Sequence, residues 1–401
     1  MSLEWVAPLR ATLLAVLVLA GCSPPRVPFT AEEQVAAHIA GMPGVRLWAD
    51  AGPDALDPRA QEIGRSEALR ASRSFDVLAL SGGGADGAFG AGLLVGWSEA
   101  GDRPKFTVVT GVSVGALIAP FAFLGPDRDS DLRAVFAEGA AEGLAQLRGP
   151  EGLFGSGLFR PEPLSELIAR FADERMLADV AVEHARGRRL LILPTNLDAQ
   201  RAVIWDLGAI ASSGHPRALG LFRSVLAASA SVPGVFPPIL VEVEAFGSVF
   251  SEMHVDGGVT GNVLLVPEAL LRSHRHFFPR STPGRLFVVM NNSIEPDFGV
   301  VENQTLHVAA RAVSTAVKTN TANVLRAAYG FARQLRFEFN LAHITPEHLG
   351  GDALQFDHDH MRRLFEHGRE KGRGDARWEQ DLPFSSASEA RPPGGRGATN
   401  L

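Results

Sequence analysis

The chain is poor in several things that would narrow its class at once. Cys22 is its only cysteine in 401 residues, so no disulfide can form within it. It has no basic run. Lysines and arginines are scattered along a chain of formal net charge −7, which argues against nucleic acid as the main partner. No internal repeat and no mid-chain linker divides it, so one large domain is the simpler organisation. The apolar run near its start, Ala11 to Ala20, is too short to span a bilayer comfortably as a permanent helix. What remains is a globular composition, 46% hydrophobic and 21% charged, with enough chain to bury a large core.

The apolar run follows Arg10 and ends in Leu19-Ala20-Gly21-Cys22, which resembles the lipobox of bacterial lipoprotein signal peptides. The resemblance implies a signal peptide over residues 1–21 and a Cys22 that carries diacylglycerol at the start of the mature chain. An ordinary signal peptide or membrane anchor with an incidental cysteine is the other reading. Each buried methylene contributes about 0.8 kcal/mol, so two or more acyl chains would hold the protein on a membrane. Ser23, where an acidic residue would favour the inner membrane, points to the outer membrane of a bacterial envelope. Residues 22–74 are rich in Pro, Ala and charge. A tether is expected there, with one or two short helices, the first opened by the capping box Thr30-Ala31-Glu32-Glu33.

The chemistry concentrates in two consecutive strand–glycine–helix units. Phe75 to Leu80 reads as a buried strand, followed by Gly82-Gly83-Gly84 and an apolar helix from Ala88. Phe106 to Val109 is a second apolar strand, ending in Gly111-Val112-Ser113-Val114-Gly115 before another apolar helix. The second unit has the form of a nucleophile elbow, in which glycines flanking a serine permit a sharp strand-to-helix turn that presents the hydroxyl. With Gly at 42 of 401 positions, such a pattern arises by chance about once in four chains, so it decides little by itself. The triple glycine can point N–H groups at a phosphate or at the oxyanion of acyl transfer. No Gly-Lys-Ser/Thr follows it, which favours the oxyanion. In a parallel sheet both turns lie at the carboxyl edge, so the glycine run and Ser113 should meet face to face.

Downstream, Met253 to Val255 is a short strand delivering Asp256 into Gly257-Gly258, a setting for a general base and equally for an ordinary Asp-Gly turn. A loop from Gly152 to Phe159 could rim an apolar pocket, although its phenylalanines suit ordinary core contacts better. A long helix is expected over Glu302 to Phe331. Asp357-His358-Asp359-His360 offers metal-ligand types, but on a helix the i, i+2 side chains diverge; no metal and no cofactor is assigned. Residues 369–401, poor in apolar side chains, are read as a disordered tail. The Arg373-Gly374-Asp375 in it is read as accidental.

The ordered set of Gly82-Gly83-Gly84, Gly111-x-Ser113-x-Gly115, the segment Ala228-Ser229 to Phe236-Pro237, and Asp256-Gly257-Gly258 resembles the patatin-like phospholipase family. The resemblance covers roughly Phe75 to Phe365, within a domain set at residues 75–368. It implies a three-layer α/β/α fold with a mainly parallel central sheet, and lipid acyl hydrolysis by a serine–aspartate dyad. On that reading Ser113 attacks, Asp256 takes its proton, and the glycine loop of Gly82, Gly83 and Gly84 holds the oxyanion, with the N–H groups of Gly83 and Gly84 as donors. One residue departs from the family pattern: Asp86 stands where Arg or Lys is common, and it is expected to face solvent or cap the following helix. Two alternatives remain. One is a serine–histidine–aspartate esterase or acyltransferase, for which His274, His276, His307, His343 and His348 are available. The other is a lipoprotein that binds lipids or partners without turnover.

Overall fold

In the computed structural model, the described residues are 26–52, 74–149, 152, 155–264, 283–295, 298–348, 354 and 356–383. The signal-peptide segment, Cys22, residues 53–73, Leu153, Phe154, His274, His276 and the last eighteen positions lie outside them.

The described residues begin with α1 (Ala31–Ala36) and β1 (Arg46–Trp48). The first of the two expected units is β2 (Phe75–Leu80) and α2 (Gly87–Ala100), joined by a 3-10 turn over Gly84–Asp86. The second is β3 (Val108–Gly111) and α3 (Val114–Leu124). Helices α4 (Asp129–Phe136), α5 (Glu162–Phe171) and α6 (Glu174–Ala185) lead to β4 (Arg189–Ile192). Then come β5 (Thr195–Asn196), β6 (Arg201–Asp206), α7 (Leu207–Ser212) and α8 (Ala218–Ala230). A hairpin of β7 (Ile239–Ala245) and β8 (Ser248–Val255) precedes β9 (Gly284–Met290), α9 (Thr305–Leu335), β10 (Glu338–His343) and α10 (His358–Arg373).

These strands form one sheet in the order β10-β9-β2-β3-β4-β6-β5-β8-β7, with β1 alongside β6. The run from β10 to β4 is parallel, and the pairings from β4 to β7 are antiparallel. The sheet is therefore mixed, with a parallel centre. Its strands are apolar on both faces because both are covered. In β2, Leu78 and Leu80 face one core while Phe75, Val77 and Ala79 face the other; in β9, Phe287 and Val289 oppose Leu286, Val288 and Met290. This alternation follows from the two-residue period of a strand. Helices α2 to α8 and α10 contribute to the first core, and Leu325, Ala328, Ala332 and Leu335 of α9 close the second. The result is the expected three-layer α/β/α architecture.

Two expectations are corrected. The segment taken as a tether is part of the fold over residues 26–52. β1 pairs antiparallel with β6, and Ile39, Met42 and Val45 are buried in the core. The expected capping box at Thr30 is present. What the composition conceals is one buried ionic cluster: Glu252 accepts hydrogen bonds from Gln34, Arg46 and His254, the Arg46 Nη2 contact being 2.9 Å. The tail is likewise folded as far as residue 383. Trp378 lies against Trp97 and Phe287, Glu379 bridges to Leu341, and Arg377 pairs with Asp102. A few anchors suffice where the composition is otherwise polar.

Candidate active site

The carboxyl edge of the parallel strands carries the candidate residues. β2 delivers the glycine run, β3 delivers Ser113, and β8 delivers Asp256. Ser113 sits between β3 and α3 at φ 54°, ψ −126°, a conformation that a non-glycine residue holds only when its surroundings over-determine it. The flanking glycines supply those surroundings. A Cβ on Gly115 would lie 2.4 Å from the Leu80 carbonyl oxygen, and one on Gly111 would lie 2.4 Å from that of Gly115. Neither position has room for a side chain. The Ser113 N–H donates to Ser229 Oγ (3.1 Å), whose own hydroxyl donates to the Leu193 carbonyl (2.9 Å). The end of α8 thus pins the turn.

Asp256 is fixed by its N–H, which donates to the Ser231 carbonyl (2.8 Å), and by Oδ1, which accepts from the Gly258 N–H (2.7 Å). Gly257 permits the turn: a Cβ there would lie 1.9 Å from the Leu193 carbonyl oxygen. Oδ2 is buried and has no hydrogen bond of normal geometry among the described residues, while the Ser113 hydroxyl lies close enough to lower the carboxyl's pKa. Burial works the other way and wins, pushing the Asp256 carboxyl up to about 6. The arrangement places a carboxylate with one open lone-pair site beside a serine hydroxyl.

The glycine loop meets Ser113 as the two-unit argument requires. A Cβ on Gly82 would come within 3.0 Å of the Ser113 Cβ and 2.5 Å of Asn262 Oδ1. The Gly82 N–H is not an available donor, because it is bonded to the Asn262 carbonyl (2.9 Å), so the role of Gly82 is to leave space. The N–H groups of Gly83 and Gly84 have no acceptor among the described residues. Gly83 presses against β9's end, where a Cβ would meet the Asn291 carbonyl at 2.0 Å. Asn291 also holds the loop with its side chain, donating from Nδ2 to the Ser81 carbonyl (2.8 Å) and accepting from the Gly90 N–H (3.1 Å).

Sequence reasoning missed Asn291 and Asn262. The available signal was their position at the same sheet edge: Asn291 follows β9, and Asn262 follows the base loop. Asp86 stands at the N-cap position of α2, as one of the two expectations has it, but its carboxyl is buried and makes no side-chain cap bond. Its Oδ1 accepts from His360 Nε2 at 2.8 Å, so a buried carboxylate is matched by a residue of α10. The four-residue run at 357–360 is accordingly divided between tasks: Asp357 caps α10 through the His360 N–H (2.7 Å), while the His360 ring serves Asp86.

The histidine alternative finds no support in these contacts. His343 pairs with Glu379, His348 contacts Thr345, and His307 lies near Glu302. His254, two residues before Asp256, bonds to Glu252. None of these contacts reaches Ser113 or Asp256. The loop ending at Phe159 runs beside the Ser231–Pro238 turn, with the Phe159 N–H donating to the Val235 carbonyl (2.8 Å) and the Phe159 and Phe236 rings edge to face at 5.6 Å. Phe159 is therefore a core contact.

No curated protein matches the chain in sequence. A solved structure, VipD from Legionella pneumophila, aligns at 12% identity and a TM-score of 0.33 over 75% of this chain and 68% of that one. Residues 78–269, which run from β2 past the base loop, match the family model described as patatin-like phospholipase. Residues 78–269 are therefore a patatin-like phospholipase domain, and the chain that carries it is an enzyme of the lipid esterase and phospholipase kind.

Proposed function

We propose that the protein hydrolyses lipid acyl esters through a Ser113–Asp256 dyad. The observation that carries this reading is the pairing of a serine held at φ 54° with a buried carboxylate whose second oxygen is open toward it. Ser113 Oγ attacks the ester carbonyl while Asp256 takes its proton. A carboxyl at about 6 is still a far weaker base than a serine alkoxide, so proton transfer accompanies attack and does not precede it. The tetrahedral oxyanion is received by the N–H groups of Gly83 and Gly84, aided by the turn that aims them. Asp256 then returns the proton to the leaving alcohol, and water repeats the sequence on the acyl-enzyme.

The same reading assigns Cys22 as a lipid anchor, so that the domain works at a bacterial envelope membrane, the outer one on the strength of Ser23. A fluorophosphonate probe tests the core of the proposal, because it asks only for an activated serine. Labelling should occur at Ser113 and vanish in Ser113→Ala. Asp256→Asn should abolish ester turnover while His254→Gln and His343→Gln retain it. Full turnover by Ser113→Ala would refute the mechanism.

A further inference from the structure

α9 is too long for the strands it connects. It spans 31 residues, about 46 Å at the helical rise, whereas β9 and β10 are seven and six residues, about 20 Å each. The two strands are parallel, so α9 must return from the carboxyl edge of β9 to the amino edge of β10. The excess length therefore projects past the carboxyl edge, where Ser113 and the glycine loop lie. Asn320, at the helix midpoint, marks that boundary by donating to the carbonyl of Thr260 in the base loop (3.1 Å).

The two halves of α9 differ in what they cover. The second buries Thr321, Leu325, Ala328, Ala332 and Leu335 in a stripe at three- and four-residue spacing. The first, from Thr305 to Ala316, buries no described side chain, although its sequence is apolar: Val308 is 50% and Val313 65% exposed. Phe298 and Val300, just ahead of it, are 97% and 89% exposed. Charge is equally one-sided. α9 contains Arg311, Lys318, Arg326 and Arg333 and no acidic residue, in a chain of net charge −7; Glu302 stands just before its first turn.

We propose that this projecting half of α9, with the loop from Phe298 to Val301, docks on an anionic lipid bilayer and brings the carboxyl edge of the sheet, with Ser113, up to it. An exposed apolar surface with Arg311 on it and Lys318 at its base is the pattern of an interfacial helix, and it lies at the sheet edge that carries Ser113, the side from which a membrane-resident substrate would come. The purpose of the surface rests on the lipid-hydrolase reading; the binding itself needs no turnover.

The test uses the full chain carrying Ser113→Ala, so that vesicles survive, and Cys22→Ser, so that no acyl anchor masks the effect, and compares it with the same protein bearing Val308→Asp and Val313→Asp. Any contribution from the leader is common to both. Flotation with phosphatidylcholine vesicles containing phosphatidylglycerol should fall roughly tenfold in the double variant, and the parent should float less with phosphatidylcholine alone. With Ser113 intact, the double variant should keep its turnover of a soluble nitrophenyl ester and lose turnover of vesicle phospholipid. Phe298→Ser with Val300→Ser, outside the helix, should reproduce the flotation loss should the helix variant misfold. Equal flotation of parent and variants overturns the proposal. So does a face lost only from self-association in sedimentation, which would assign it to a second copy of the chain. If no ester is cleaved by any form, the hydrolase reading fails while the flotation difference still stands on its own.

Discussion

Asp256 shows how the side chain proposed as the base opposes folding. Its carboxyl is raised from 3.8 to about 6 by burial, so the folded protein penalises the charged form. For an acid shifted upward, the penalty is absent below pH 4, grows between pH 4 and 6, and is complete above 6. At 1.36 kcal/mol per unit it amounts to at most about 3 kcal/mol. Asp256→Asn should therefore stabilise the protein at pH 7.5, by about 1–3 kcal/mol in urea denaturation, with little gain at pH 4. Activity should run the other way, with kcat/KM on a soluble ester falling as pH drops below about 6 because the base becomes protonated. The pair of Asp86 and His360 carries the opposite lesson. His360→Ala leaves the Asp86 carboxylate buried beside the glycine loop without this partner, at a cost of about 3 kcal/mol. Asp86→Ala combined with His360→Ala should be less destabilised than His360→Ala alone, measured by the same denaturation. Ser113 and Asp256 were legible because glycine punctuates both turns. His360 was not, since nothing local marks a residue 274 positions away as the partner of Asp86.

At the scale of elements, backbone contact decides where glycine is indispensable. α2 and α10 cross so closely that a Cβ on Gly92 would lie 1.9 Å from the Phe365 carbonyl, and one on Gly368 would lie 2.1 Å from that of Phe89. Both helices present glycines at i and i+4, Gly92 with Gly96 and Gly368 with Gly372, so the two backbones interlock. This contact seats His360 at Asp86. Gly92→Ala should cost about 1–3 kcal/mol or more, because the obstructing atom is backbone and cannot turn aside. Gly220→Ala in α8, with nothing within 4 Å, should instead stabilise by about 0.5–1 kcal/mol through reduced freedom of the unfolded chain. Thermal unfolding of the two variants checks the contrast. Periodicity made β2, β3, α2, α3 and α8 legible, since each is a short apolar run bounded by glycine or proline. It did not reveal β7, β8 beyond its last residues, α6 or β10. Those elements are amphipathic or carry buried polar residues such as Glu252 and Asn340, whose partners lie elsewhere in the chain.

For the whole molecule, the open question is what makes residues 26–52 part of the domain, given a composition that reads as a tether. Several ion pairs reach from this segment to the antiparallel side of the sheet, and two of them differ sharply in burial. Arg26 bonds to Asp198 at 2.8 Å with both side chains about a quarter exposed, whereas Arg46 meets Glu252, whose side chain is fully buried. Burial would raise the Glu252 carboxyl, but hydrogen bonds from His254 and Arg46 outweigh it and hold it down at about 2. Losing one partner of a buried pair strands the other charge, so Arg46→Gln should cost about 3–5 kcal/mol. Arg26→Gln should cost less than about 1 kcal/mol, because water already solvates its carboxylate. The pH dependence provides an independent check. A carboxyl depressed in the folded state contributes stability above its unfolded value, near 4.5, that is lost as pH falls toward 2. The gap between parent and Arg46→Gln in urea denaturation should therefore be full at pH 6 and shrink steadily below pH 4.5. A gap that stayed constant across that range would mean that the Arg46 guanidinium fastens the segment through its contact with the Trp205 ring, and not through its pairing with Glu252.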